Sequence, residues 1–194
     1  MKKFLAVLLV ALSGAFALFA DDVADVKSAI VKDWELVVKG DFAGSFALYA
    51  PDYRETGSDG NNITYEHCKV IMLALDGKHP EEFLLMAAIA DNKGAMPPAE
   101  TVARIRAAAR NPEFVKKYEE LLPRVVAHGK ALAEQHLKTL EFVSVKVDGD
   151  KAVAVIEYDS NDEETGKVKR EIETISLRKT GGAWLKYRSV SKDK

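Results

Sequence analysis

From residue 141 onward the apolar residues stop recurring every three or four positions and begin to alternate. That change of period from 3.6 to 2 constrains the fold more than any other feature of the chain. It predicts strands at Glu141–Val147, Lys151–Asp159, Val168–Lys179 and Trp184–Val190. Asp148-Gly149-Asp150 and Thr180-Gly181-Gly182-Ala183 supply the small, turn-forming residues of tight hairpins. Asn161–Gly166 reads as a longer solvated connection. Sequential strands joined in this way form an antiparallel meander. In Lys151–Asp159, Ala152, Ala154, Ile156 and Tyr158 share one side, and Val153 and Val155 the other. Apolar residues on both sides predict a sheet covered on both faces.

Ahead of the meander the signals are helical. Val23, Val26, Ile30, Trp34, Val37 and Val38 fall on one face of a helix over Asp22–Lys39, which Gly40 ends. Asp41 caps a second, short helix carrying Phe42, Phe46 and Tyr49, with Pro51 as its stop. Tyr53–Thr56 and Asn61–Ile63 read as a small hairpin, and Thr64 as the cap of a third helix, Tyr65–Leu75. Further helices open at Pro80, at Pro97-Pro98 and at Asn111-Pro112. Pro123 is expected to kink or split the last of these, which runs toward Leu140. The fold class is therefore α+β, with helices first and a curled antiparallel sheet after. No repeat, linker or low-complexity stretch divides residues 21–194, so they are read as one domain.

The head of the chain reads as an address. Lys2 and Lys3 precede a run, Phe4–Ala20, that is apolar apart from Ser13 and Gly14 and ends at Asp21-Asp22. Charge, apolar stretch and small exit residue make a secretory signal peptide over residues 1–20, with cleavage after Ala17 or, at the polarity break, after Ala20. The run is shorter than the roughly 20 apolar residues of a spanning helix. The expected location is periplasmic or secreted, with no membrane attachment after cleavage. Loss of the two lysines leaves 26 basic against 30 acidic residues, which excludes a dominant electrostatic drive toward nucleic acid. A single cysteine, Cys68, excludes an intramolecular disulfide and a multi-cysteine zinc site.

Gly40-Asp41-Phe42 followed by Tyr49-Ala50-Pro51-Asp52-Tyr53 resembles the opening of the nuclear transport factor 2-like superfamily. Val145-Lys146-Val147-Asp148-Gly149-Asp150-Lys151-Ala152-Val153 through Gly181-Gly182-Ala183-Trp184 resembles its last strands. The resemblance covers about residues 22–75 and 124–192, leaving 76–122 as a helical insertion. Relatives of this kind include SnoaL-like cyclases and ketosteroid isomerases. The resemblance implies a cone: a curved antiparallel sheet wrapped around N-terminal helices, open at one end onto an apolar pocket.

Ketosteroid isomerase chemistry needs a carboxylate base with a tyrosine and a protonated acid as oxyanion donors. Counted from the matched motifs, those positions hold Gly57, Asp33 and Thr174, with Glu173 one register from the last. None matches, so that chemistry is not expected. Asp33 nevertheless falls inside the apolar arc of its helix, where desolvation favours an acid–base role, and it is the one catalytic candidate. Trp34, Tyr49, Tyr53, Tyr158 and Tyr187 supply stacking faces and hydroxyls for a pocket, and Glu173 a carboxylate. Glu171 and Glu173 are expected to pair with Lys169 and Arg188. His67, His128 and His136 have no metal-site spacing, so neither metal nor cofactor is expected. Arg104, Arg106 and Arg110 read as a solvated helix face.

Three functions remain open on this reading. The first is an exported, non-enzymatic protein that binds a small apolar or amphipathic molecule in the cone. The second is an exported hydrolase, dehydratase or cyclase using a pocket carboxylate. The third is a structural module that dimerises through its sheet, and a homodimer is expected on either the first or the third.

Overall fold

The computed structural model describes the chain apart from Met1, Asp59, Lys93 and residues 162–166, and describes residues 2–20 by their backbone alone. The predicted connection beyond Asn161, which itself ends a strand, and the side chains of the predicted signal peptide therefore lie outside the described residues. The elements in chain order are α1 (Lys2–Lys39), α2 (Phe42–Phe46), β1 (Tyr49–Thr56), β2 (Asn62–Thr64), α3 (Tyr65–Leu75), α4 (Pro80–Asp91), α5 (Ala99–Ala108), α6 (Pro112–Thr139), β3 (Glu141–Asp148), β4 (Lys151–Asn161), β5 (Val168–Thr180) and β6 (Ala183–Asp193).

The sheet runs β2-β1-β6-β5-β4-β3. β3 to β6 form the expected antiparallel meander. β1 joins β6 in the one parallel pairing among the described residues and carries β2 antiparallel on its outer edge. Register shifts interrupt the β1–β6, β3–β4 and β5–β6 ladders. Such bulges bend a strand and increase its twist, which curves this sheet around α1 and α6.

Val26 and Ile30 of α1, both fully buried, pack on Ala152, Ala154 and Ile156 of β4 and on Ile175 and Leu177 of β5. Each fully buried aliphatic side chain of this size contributes about 1.5–3 kcal/mol. The other side of β4 is different: Val153 is 41% exposed and Val155 half-buried. In this chain the sheet is covered on its concave face, while its convex face carries a shallow groove of about 440 Å³ along β5 and β6.

The elements depart from the sequence expectations in three places. α1 begins at Lys2 rather than Asp22, continuous with the backbone of the predicted leader. Pro51 does not stop a helix: α2 ends at Phe46, and Tyr49 and Pro51 lie in β1. Pro51 falls where the β1–β6 ladder is interrupted, between Tyr49 and Arg54, so its missing N–H breaks no ladder bond there. Pro123 does not split α6. Its ring displaces the hydrogen bond to the Glu119 carbonyl, and both residues are exposed, so water replaces what the helix loses.

The helical segment α4–α5 packs against α3 and α6. Leu85 and Tyr118 are buried there, and the Tyr118 hydroxyl donates to the Ala74 carbonyl at 3.3 Å. Arg106 is not simply solvated: it bonds the buried Glu82 at 2.7 Å and ties α5 to α4.

Candidate functional site

The concave face carries polar groups at two depths. The deeper set begins at Asp33. Positions 26, 30 and 33 recur at helical spacing, so the face that buries Val26 and Ile30 carries the Asp33 carboxylate inward with them. Asp33 is 2% exposed and Lys186 of β6 is 5% exposed, and their ion pair closes at 2.5 Å. Tyr49 donates its hydroxyl to Asp33 Oδ2 at 2.8 Å, and Ser45 donates to Oδ1. Burial alone depresses the pKa of an ammonium, but the carboxylates of Asp33 and Glu173 outweigh it and hold Lys186 above its ordinary value. Burial, reinforced by Asp33, raises the Tyr49 hydroxyl well above its usual pKa, so it remains a proton donor. Fully partnered, this group joins α1, α2, β1 and β6.

Nearer the mouth lies a cavity of about 630 Å³, bounded by the ends of β1, β4, β5 and β6, by β2 and by α6. Glu55 projects from β1 into its wall, two residues beyond Tyr53 and hence on the same side of the strand. Tyr53 donates to Glu55 Oε2 at 2.7 Å. Burial, and then the nearby Glu173 carboxylate, raise the Glu55 pKa above the usual range, against the opposing Tyr53 hydrogen bond and the Lys186 charge. On the opposite wall Glu171 accepts from Ser160 at 2.7 Å, from Lys169 at 3.1 Å and from the Tyr158 hydroxyl at 3.4 Å. His136 of α6 completes a three-ring cluster with Trp34 and Tyr158, its centroid 5.2 and 4.5 Å from theirs. Burial lowers its pKa, with Glu171 opposing, so its imidazole is neutral at neutral pH.

The structure brings Asp33, Tyr49, Tyr53, Tyr158 and Glu173 to the concave face, with Trp34 behind the rings of His136 and Tyr158. Tyr187 stands apart: it lies at the β5–β6 register shift, 5.7 Å from the guanidinium of Arg178, which pairs with Asp52. Glu171 pairs with Lys169 as expected, whereas Glu173 accepts from Ser189 at 2.5 Å and Arg188 lines the convex groove instead. His67 closes its own helix, accepting from the Thr64 backbone N–H at 3.0 Å. Among the described residues no three His, Cys, Asp or Glu side chains are grouped to hold a metal.

Two residues that matter here escaped the sequence reading. Alternation from the buried Tyr53 places Glu55 inward, but counting from the motif led to Gly57. Alternation from Trp184 likewise places Lys186 inward, and only the rarity of buried lysine spoke against it. The resemblance implies an apolar pocket, whereas polar groups dominate this wall, with Ile63 and Leu132 as its aliphatic members. In the two pairs Tyr49–Asp33 and Tyr53–Glu55 each tyrosine directs its hydroxyl proton at the carboxylate of its own pair and not into the cavity.

Six helices and a curved six-stranded sheet give the α+β cone that the sequence resemblance implies. No protein-family model matches the sequence, and no curated protein matches it. Solved structures do resemble it. A nuclear transport factor 2-like protein with a cystatin-like fold from Novosphingobium aromaticivorans is 15% identical, with 95% of this chain and 89% of that one covered and a TM-score of 0.49. A ketosteroid isomerase-like protein from Erwinia carotovora atroseptica is 13% identical, with 90% and 98% covered and a TM-score of 0.44. A nuclear transport factor 2-like protein from Silicibacter pomeroyi is 13% identical, with 90% and 98% covered and a TM-score of 0.46. With identities this low and TM-scores below 0.5, these proteins set no chemistry for this chain; its own strand order and register establish the layout.

Proposed function

We propose that the chain is an exported protein that binds a small molecule in the cavity at the mouth of its cone. One observation carries the reading: the cavity of about 630 Å³ has a half-buried carboxylate, Glu55, in a lining that also holds Tyr158 and His136. Leaving a carboxylate partly desolvated costs stability, and a ligand that meets it recovers that cost. Native mass spectrometry of protein from its own host tests this. A retained small molecule, one per subunit and lost in Leu132→Trp, supports the reading; protein that is always ligand-free at its calculated mass refutes it.

A catalytic reading is favoured by one observation, the raised pKa of Glu55 in a cavity wall, which suits an acid–base group better than the ion-paired Asp33. Against it stands the donor count. Tyr49 and Tyr53 direct their hydroxyls at carboxylates, so neither is free to stabilise a developing oxyanion.

Export is proposed on the charge, apolar run and small exit residues of residues 1–20, and N-terminal sequencing of secreted protein is expected to begin at Asp21. A homodimer across the convex face is proposed on the uncovered Val153, with Val155, Ile172 and Val190 half-buried beside it. Light scattering at micromolar concentration is expected to give twice the subunit mass, reduced to the monomer by Val153→Glu; a monomeric wild-type protein removes the proposal.

A further inference from the structure

Inside the cone the tyrosine and lysine donors are already committed to carboxylates. The Tyr53 hydroxyl proton goes to Glu55 Oε2, that of Tyr158 to Glu171, and that of Tyr49 to Asp33. The Lys186 ammonium lies on Asp33, and the Lys169 ammonium, between Glu171 and Asp193, bonds both at 3.1 and 2.9 Å. Glu55 Oε1 receives no hydrogen bond from any described residue. Among the described residues, the charged side chains lining the cavity are the acidic Glu55, Glu171 and Asp193 and the basic Lys169. Glu173 stands close enough behind this wall to add its charge to that of Glu55. A charged donor for Glu55 Oε1 therefore has to come from the entering molecule, and an anion there would meet the Glu173 and Asp33 charges that disfavour ionisation of Glu55. Tyr158 and His136, whose ring centroids lie 4.5 Å apart, supply the aromatic part of the same lining. With His136 neutral, neither ring repels a cation.

We propose that the cavity takes a small organic ammonium ion, its head donating to Glu55 Oε1 and its body lying against Tyr158 and His136. This rests on the reading of the cavity as a binding site, and it names the class of ligand. A charge-assisted N–H···O bond is roughly twice as strong as a neutral one. A cation near an aromatic face gains further from the ring quadrupole. A neutral alcohol of the same shape gains neither.

Carboxyl-carbon NMR of Glu55, assigned by its loss in Glu55→Gln, tests the proposal without presupposing the ligand's shape. The groups that face Glu55 are Tyr53 on its own strand, Glu173 on β5, Lys186 on β6, Asp33 on α1 and Cys68 on α3. A cation seated at Glu55 favours its ionised form, so the Glu55 pKa must fall when the cation binds. The probes are ethylammonium and 2-phenylethylammonium chloride, compared with sodium chloride at equal ionic strength and with ethanol and 2-phenylethanol. The expected result is at least a tenfold lower proton affinity at Glu55 in either ammonium, relative to sodium. The phenyl compound should act at the lower concentration, and Glu55→Gln should weaken its binding at least tenfold. Identical Glu55 titrations in ammonium and sodium overturn the proposal. If the alcohols bind as tightly as the ammonium ions, the cationic class falls and the cavity reading stands. If no probe perturbs any resonance around the cavity, both fall together.

Discussion

Removing the Asp33 carboxylate should cost more stability than any other single charge removal in this chain. The pair it forms with Lys186 is nearly free of solvent, with side chains 3% and 6% exposed. Asp33→Ala strands the Lys186 ammonium and leaves the Ser45 and Tyr49 hydroxyls without their acceptor. Breaking a buried pair in this way costs about 3–5 kcal/mol. Against a total stability of roughly 5–15 kcal/mol, that is a large fraction. At roughly 2–4 °C per kcal/mol for a domain of this size, the melting temperature should fall by roughly 6–20 °C. Replacing both partners by apolar residues, Asp33→Leu with Lys186→Met, should recover most of the loss, because no charge is left buried alone. Urea unfolding at pH 7, followed by circular dichroism, measures both variants. The pH dependence has a definite sign. Lys186 has its pKa raised in the folded protein, so the pair's contribution is fully present below its unfolded value of about 10.5. It fades as pH rises through the folded value, so the gap between wild type and Asp33→Ala should narrow in alkali. A single variant within about 1 kcal/mol of wild type, or a double variant no better than the single, would refute the reasoning.

Glu55→Gln should raise the melting temperature at pH 7, with the gain shrinking toward pH 4. The folded state holds the Glu55 pKa high, so the ionised group costs stability above that value, and the cost disappears as pH falls to the unfolded value. A thermal scan showing no gain at pH 7, or a gain that grows toward acid, counts against a desolvated Glu55. Gly40 turns the chain between α1 and α2 at φ +81°, where an added Cβ would meet Lys130 Nζ at 2.9 Å. Gly40→Ala should cost about 1–2 kcal/mol of left-handed strain, read by urea unfolding. Purified protein should not isomerise a β,γ-unsaturated steroid ketone; activity abolished by Glu55→Gln without unfolding would establish the catalytic reading.

The C-terminal meander was legible because alternation and turn chemistry are both local signals. Each predicted strand reappears, lengthened by a residue or a few at its ends. The third helix was legible to the residue, since Thr64 and Asp76 bound it unambiguously. The pairing of β1 with β6 was not, because it joins residues far apart in sequence and no local pattern specifies a parallel neighbour. Pro51 does not stop a helix and Pro123 does not split one for the same reason. Proline breaks an element when the lost hydrogen bond is needed, and whether it is needed depends on a ladder interruption or on solvent exposure. Asp33 was legible through its place in an apolar arc. Its partner was not: Lys186 arrives from the last strand, far away in sequence.

A crystal structure of the protein purified from its own host, with no ligand added, tests the central claim most directly. The account predicts connected non-protein density in the cavity, touching Glu55 on one side and the Tyr158 and His136 rings on the other. A cavity holding only ordered water on Glu55 and Glu171, or closed by Leu132 and Ile63 moving inward, would contradict it.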